Sequence, residues 1–121
     1  MSEALERVRR ICLALPEAFE QEAWGTATFR VRKRMFGMYA ENHHADGKVA
    51  LWLPAPLGTQ RYLVENEPEK YFVPPYVGVK GWAGVLIDRC SDEEIRPLVV
   101  QAYCIVAPRK LAALADPDPG P

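Results

Sequence analysis

Apolar residues recur along the chain with two different periods, and the chain turns where the period changes. Leu5, Val8, Ile11, Cys12 and Leu15 fall at intervals of three and four, the stripe of an amphipathic helix that Ser2 can cap and Pro16 ends. Arg7, Arg9 and Arg10 lie among Glu3 and Glu6 and read as a solvated face with helical ion pairs. A weak alternation over residues 19–24, closed by Gly25, predicts a short peripheral strand. Residues 26–32 alternate cleanly, with Ala27, Phe29 and Val31 on one face and Thr28, Arg30 and Arg32 on the other. Lys33 and Arg34 predict a tight turn, but they lack the Asn-Gly or Asp-Gly chemistry of a two-residue hairpin, which leaves a longer loop open. Residues 35–41 return with Phe36, Met38 and Ala40 on one side and Tyr39 and Glu41 on the other. After a turn-rich connector at 42–47, residues 48–53 complete a meander with Val49, Leu51 and Leu53 inward and Ala50 and Trp52 outward.

Pro54 and Pro56 end that strand and bracket the start of a second helix over residues 57–64, with a thin apolar set of Leu57, Leu63 and Val64. In the stretch 71–88, Pro74 and Pro75 fix φ while Gly78, Gly81 and Gly84 permit turns and close approach, so it reads as a structured loop clamping Trp82 onto a sheet. Ala83, Val85 and Ile87 add an alternating strand. Ser91 and Glu94 form a capping-box pattern ahead of the stripe Ile95, Leu98, Val99, Ala102, Ile105 and Val106, within which Pro97 predicts a distorted first turn or a later start. Residues 111–114 read as an extra docking turn, and 116–121 as a disordered tail with no apolar residue to bury. The order is α-β(3-4)-α-β(1-2)-α with connections mostly too short for parallel crossovers. It predicts a two-layer α+β domain over residues 1–115, an antiparallel sheet of about five strands with helices on one face.

Composition narrows the class. At 121 residues and 49% hydrophobic, the chain is one domain that buries about two thirds of its unfolded surface. Cys12, Cys90 and Cys104 are odd in number and sit in apolar segments, as buried free thiols in a reducing compartment do. With neither a signal-peptide order nor an apolar run long enough for a bilayer, the sequence predicts a cytoplasmic protein without membrane partners. Fifteen basic against sixteen acidic side chains give a net charge of -1, so any binding to nucleic acid must be local.

The strongest local candidate is the basic run Arg30, Arg32, Lys33 and Arg34 on one hairpin. It can contact phosphates, and it can equally serve to keep strands from self-association. If the register holds, Arg30, Arg32, Tyr39 and Trp52 share the sheet face turned away from the helices, where Arg and aromatics can stack a base or another flat ligand. Tyr76 and Trp82 read either as core or as the walls of a pocket under the loop. His43 and His44 are adjacent and point apart on an extended chain, so no metal and no other cofactor is expected. Ser2 and Ser91 sit at helix caps, no Gly-x-Ser-x-Gly elbow is present, and Asp92, Glu93 and Glu94 suit a helix N-terminus, so the sequence predicts no enzyme.

Taken together, several motifs in order resemble the MmcQ/YjbR family of small bacterial proteins. They are Ala-Leu-Pro-Glu at 14–17, Ala-Trp-Gly at 23–25 after acidic residues, Phe29-Arg30-Val31 leading through a basic turn to Met35-Phe36, a Pro-x-Tyr segment with a downstream Gly-Trp at 74–82, and Ala-Pro-Arg-Lys at 107–110. The likeness spans residues 3–114. It implies a fold like that of type III secretion chaperones, an antiparallel sheet with helices on one side, and DNA as a partner, with Lys80 assisting the hairpin cations. The segment 77–81 carries only one of the positive charges that family members have there. The alternative is a small-molecule or protein interaction module using the loop pocket or the open sheet face.

Overall fold

Two helix-side facts organise the fold in the computed structural model, which describes residues 3–116 apart from the side chain of His44: an apolar stripe on each long helix, and a sheet whose strands alternate beneath them. The expected Ser2 cap and tail residues 117–121 lie outside the described residues. The elements run α1 (Glu3–Cys12), β1 (Phe19–Ala23), β2 (Thr26–Val31), β3 (Arg34–Glu41), β4 (Val49–Leu53), α2 (Thr59–Asn66), β5 (Tyr71–Phe72), β6 (Ala83–Leu86), α3 (Asp92–Val106) and α4 (Arg109–Ala115). All six strands are antiparallel, in the order β1-β2-β3-β4-β6-β5. The α+β class holds with one strand more than expected. β5 is two residues long and pairs only at the sheet edge, too short to show a period.

Val8, Phe29, Val31, Phe36, Leu51, Leu53, Val85, Ile95, Val99 and Tyr103 are among the residues of the core between sheet and helices. Phe36 meets Tyr103 edge to face at 5.3 Å, and the Tyr103 hydroxyl donates to Pro16 O at 2.6 Å, closing the chain behind α1. Arg7 does more than decorate a solvated face: its guanidinium donates to Asp92 Oδ1 (2.9 Å), Ile87 O (3.0 Å) and Cys90 O (2.8 Å), tying α1 to the connection between β6 and α3. Arg9 bridges Glu6 on its own helix and Glu20 on β1.

The capping box forms as the sequence expects: Glu94 N–H donates to Ser91 Oγ and Ser91 N–H to Glu94 Oε1. The helix starts at Asp92 and runs unbroken through Pro97, contrary to the expected delay. Pro97 and Glu93 both lie on the exposed side, so the Glu93 carbonyl that loses its N–H partner faces water.

The main departure from simple alternation is in β3. Phe29 pairs with Gly37 but Arg30 pairs with Met35, which makes Phe36 the extra residue of a β-bulge. Phe36 therefore points to the helices, as do Gly37 and Tyr39, while Met35, Met38 and Ala40 point outward. The sequence period places Phe36, Met38 and Ala40 on one side; the bulge splits them.

Candidate functional site

On the outer face the cross-strand neighbours Met38 and Trp52, and Ala40 and Ala50, form a second, smaller apolar cluster, with Met35, Phe72, Val77 and Trp82 packed against it. Trp52 is only 2% exposed although no helix covers it. The cover is the segment 72–82. Gly84 makes this possible: a Cβ there would fall 2.5 Å from the Phe72 ring, so only a bare backbone lets Phe72 lie across the sheet. Gln60 Nε2 on α2 donates to Gly78 O (2.8 Å) and Trp82 O (2.6 Å), fastening the segment from its other side.

Three turns then shape a cleft beside this cover. Trp24 and Gly25 connect β1 to β2 as a two-residue turn, both with positive φ (54° and 76°), the requirement of a type I′ turn. Tyr76 (φ 64°) is the centre of a γ-turn closed by Val77 N–H donating to Pro75 O at 2.6 Å, a strained geometry. A 3-10 turn at His43–Ala45 brings His43 against both rings behind it, 5.1 Å from Trp52 and 6.0 Å from Tyr76, edge to face in each case. The cleft between them has a volume of about 420 Å³ and is lined almost wholly by carbon from Trp24, Met35, Met38, His43, Trp52, Tyr76 and Val77.

Two details mark it as more than packing. Trp24 and Tyr76 are 75% and 69% exposed, so the left-handed backbone at each, costing about 1 kcal/mol or more, is not offset by burial of the ring. The indole Nε1 of Trp52 is closed off from solvent without a hydrogen-bond partner, a further cost of about 1–3 kcal/mol at the floor of the same cleft.

The sequence-predicted site residues divide. Trp52 and Tyr76 meet at the cleft, as floor and rim. Trp82 packs under the covering segment and holds it in place. Tyr39 is a correction: the bulge turns it to the helix side, where it is buried and its hydroxyl donates to Glu41 Oε1 at 2.6 Å. Arg30 does lie on the outer face, opposite Met35. Arg32 does not, because Arg32 and Lys33, rather than Lys33 and Arg34, form the two-residue turn between β2 and β3, and Arg32 takes the positive φ (56°). Arg32 also donates through Nε and Nη2 to Glu17 (2.8 and 3.2 Å), which holds the Glu17 carboxyl below its ordinary range. Lys33 and Arg34 are exposed. Lys80 belongs to another hollow, shared with Leu57, Arg61 and Val79. The five cations therefore do not converge on one groove.

Sequence reasoning missed Trp24, Met35, Met38, His43 and Val77 as cleft residues. The Trp-Gly pair of a tight turn was the available signal, since such a turn throws its first side chain into solvent; the bulge that aims Met38 outward leaves no trace in hydropathy. Among the described residues no three His, Cys, Asp or Glu side chains gather as metal ligands, and no helix is long and apolar enough to cross a membrane.

Residues 13–105 match the family model YjbR. The crystal structure of a Deinococcus radiodurans protein with a DUF419 domain superposes with a TM-score of 0.72 at 19% identity, over 94% of this chain and 86% of that one, a likeness of fold. No curated protein matches the chain.

Proposed function

The chain belongs to the YjbR family, and on this scaffold we propose a non-catalytic binding module that takes a small, largely apolar ring compound into the outer-face cleft. The observation that carries the reading is the pair of solvent-exposed aromatics, Trp24 and Tyr76, held in left-handed backbone on either side of a carbon-lined cleft. Its volume suits a small molecule rather than a protein surface. Ring stacking or edge contacts on Trp24, Tyr76 and Trp52 would each contribute about 0.5–1.5 kcal/mol beyond burial.

The test uses N-phenyl-1-naphthylamine, a neutral ring probe that brightens in apolar surroundings. Saturable binding to the native chain, lost in the double variant Trp24→Gly, Tyr76→Gly, supports the reading. Glycine suits both backbone conformations, so these substitutions remove rings without adding strain. Absent or unsaturable binding, or binding unchanged in the double variant, refutes it.

Phosphate-backbone binding to DNA through the hairpin is the second reading, favoured by Lys33 and Arg34, which are exposed and have no carboxylate partner among the described residues. Against it stand the Arg32–Glu17 pair and the covered outer face. It requires duplex binding at about 50 mM salt with a log-affinity against log-salt slope that becomes shallower in Lys33→Ala; no binding at that salt removes it.

A further inference from the structure

Arg30 stands apart from the other cations of its hairpin. Its partner across the ladder is Met35, and Thr28, two residues before it on the same face, pairs with Met38; both methionines line the cleft. The Arg30 Nε donates to Thr28 Oγ1 at 3.0 Å, and the buried Thr28 hydroxyl donates in turn to Gln21 O at 2.6 Å. This chain lays the half-buried Arg30 side chain back along β2, the strand that pairs with Met35 and Met38. Among the described residues no carboxylate pairs with it, and the bond from Nε is its one side-chain hydrogen bond. Glu17 and Glu20 turn elsewhere: Glu17 binds Arg32, and Glu20 binds Arg9 on the helix side. A fork with its outer edge unused, one ladder step from a methionine that lines an apolar cleft, is an arrangement suited to an anionic group on an otherwise apolar molecule.

We propose that Arg30 is the anion anchor of the cleft, so that its ligand is a flat ring compound carrying one carboxylate-like group; this holds only if the cleft is a ligand site as proposed above. The ring enters between Trp24 and Tyr76, and the anion reaches the Nη edge of Arg30 over Met35. Arg30 is a specificity residue here, because the apolar lining alone accepts neutral rings as well.

Two probes sharing one ring system separate the claims: N-phenyl-1-naphthylamine, which is neutral, and 1-anilinonaphthalene-8-sulfonate, in which a sulfonate stands for the ligand's anion. The native chain should bind the sulfonate about tenfold more tightly than the amine, in keeping with one charge-assisted contact. Arg30→Gln should erase that preference and leave amine binding unchanged, Arg30→Lys should restore part of it, and Arg34→Gln should leave it intact. Raising salt should weaken only the sulfonate. If both probes bind in a manner that needs Trp24 and Tyr76 but Arg30→Gln changes neither, or changes both alike, the anchor is wrong and the cleft stands. If neither probe binds saturably, both fall. Amine binding also reports whether Arg30→Gln remains folded.

Discussion

Replacing Trp52 by Phe should cost almost nothing in stability, an unusual expectation for a side chain only 2% exposed. Truncating a buried large ring ordinarily costs about 3–5 kcal/mol when taken to Ala, and the smaller indole-to-phenyl change leaves a void worth about 1–2 kcal/mol. The same substitution deletes a donor, Nε1, that is shut away from water without a partner, and so removes a desolvation cost of about 1–3 kcal/mol. The two effects are of equal size and opposite sign, and the net change should lie within about 1 kcal/mol of zero. Tyr103→Phe is the natural comparison. Tyr103 is equally buried, but its hydroxyl donates to Pro16 O at 2.6 Å, so that substitution leaves a carbonyl wanting and should cost about 1–2 kcal/mol. Urea denaturation followed by far-ultraviolet circular dichroism compares the two without depending on the fluorophore being changed, and an unaltered m-value shows that only stability moved. A loss above about 3 kcal/mol in Trp52→Phe would mean that the indole N–H is satisfied in solution, and the reasoning about a strained cleft floor would fail.

Other perturbations test the scaffold that holds the cleft. Arg7→Ala removes three hydrogen bonds joining α1 to the β6–α3 connection and strands the Cys90 carbonyl, while Ile87 O keeps its bond from Cys90 N–H; it should lower stability by about 2–3 kcal/mol in the same denaturation assay, and a loss under about 0.5 kcal/mol would contradict the tie. Gly84→Ala drives a methyl into the Phe72 ring and should cost about 1–3 kcal/mol while raising the exposure of the outer-face cluster; an unchanged melting temperature would show that Phe72 gives way freely. Glu94 is held below its ordinary value by Lys70 and then by the Ser91 N–H, as Glu17 is by Arg32. Because both titrate lower when folded than when unfolded, their contribution is present above the ordinary carboxylate range and is lost as pH falls through the lowered folded values. The urea midpoint should therefore fall on acidification, and less steeply in the double variant Glu17→Gln, Glu94→Gln; an identical acid limb would rule these pairs out as its source.

The elements that bury one face and bare the other were legible in the sequence. The periods of α1, β2, β4 and α3 carry them directly, and the capping box at Ser91 and Glu94 was readable because both partners are side chains at fixed spacing. What escaped the reading is what a backbone decides locally. The bulge at Phe36 moves Tyr39 to the helix side and Met38 outward, and no hydropathy pattern distinguishes a bulged strand from a regular one. The hairpin turn shifted by one residue because Arg32 accepts a left-handed conformation that its type does not favour. The covering of Trp52 depends on Phe72 crossing Gly84, a contact made across the whole intervening loop. The Pro and Gly residues of 72–82 did announce an ordered loop, and Tyr76 and Trp52 were singled out; their meeting at one cleft needed the fold.

Methionine methyl spectroscopy addresses the cleft most directly. The chain has three methionines, of which Met35 and Met38 line the cleft while Met1 lies outside the described residues. With the methyl carbons labelled, titration of 1-anilinonaphthalene-8-sulfonate should shift the Met35 and Met38 signals saturably by the ring current of the bound probe, and Tyr76→Gly should abolish the shifts. Signals from Met35 and Met38 that stay in place while the probe binds would put the ligand elsewhere on the molecule and contradict the cleft as its site.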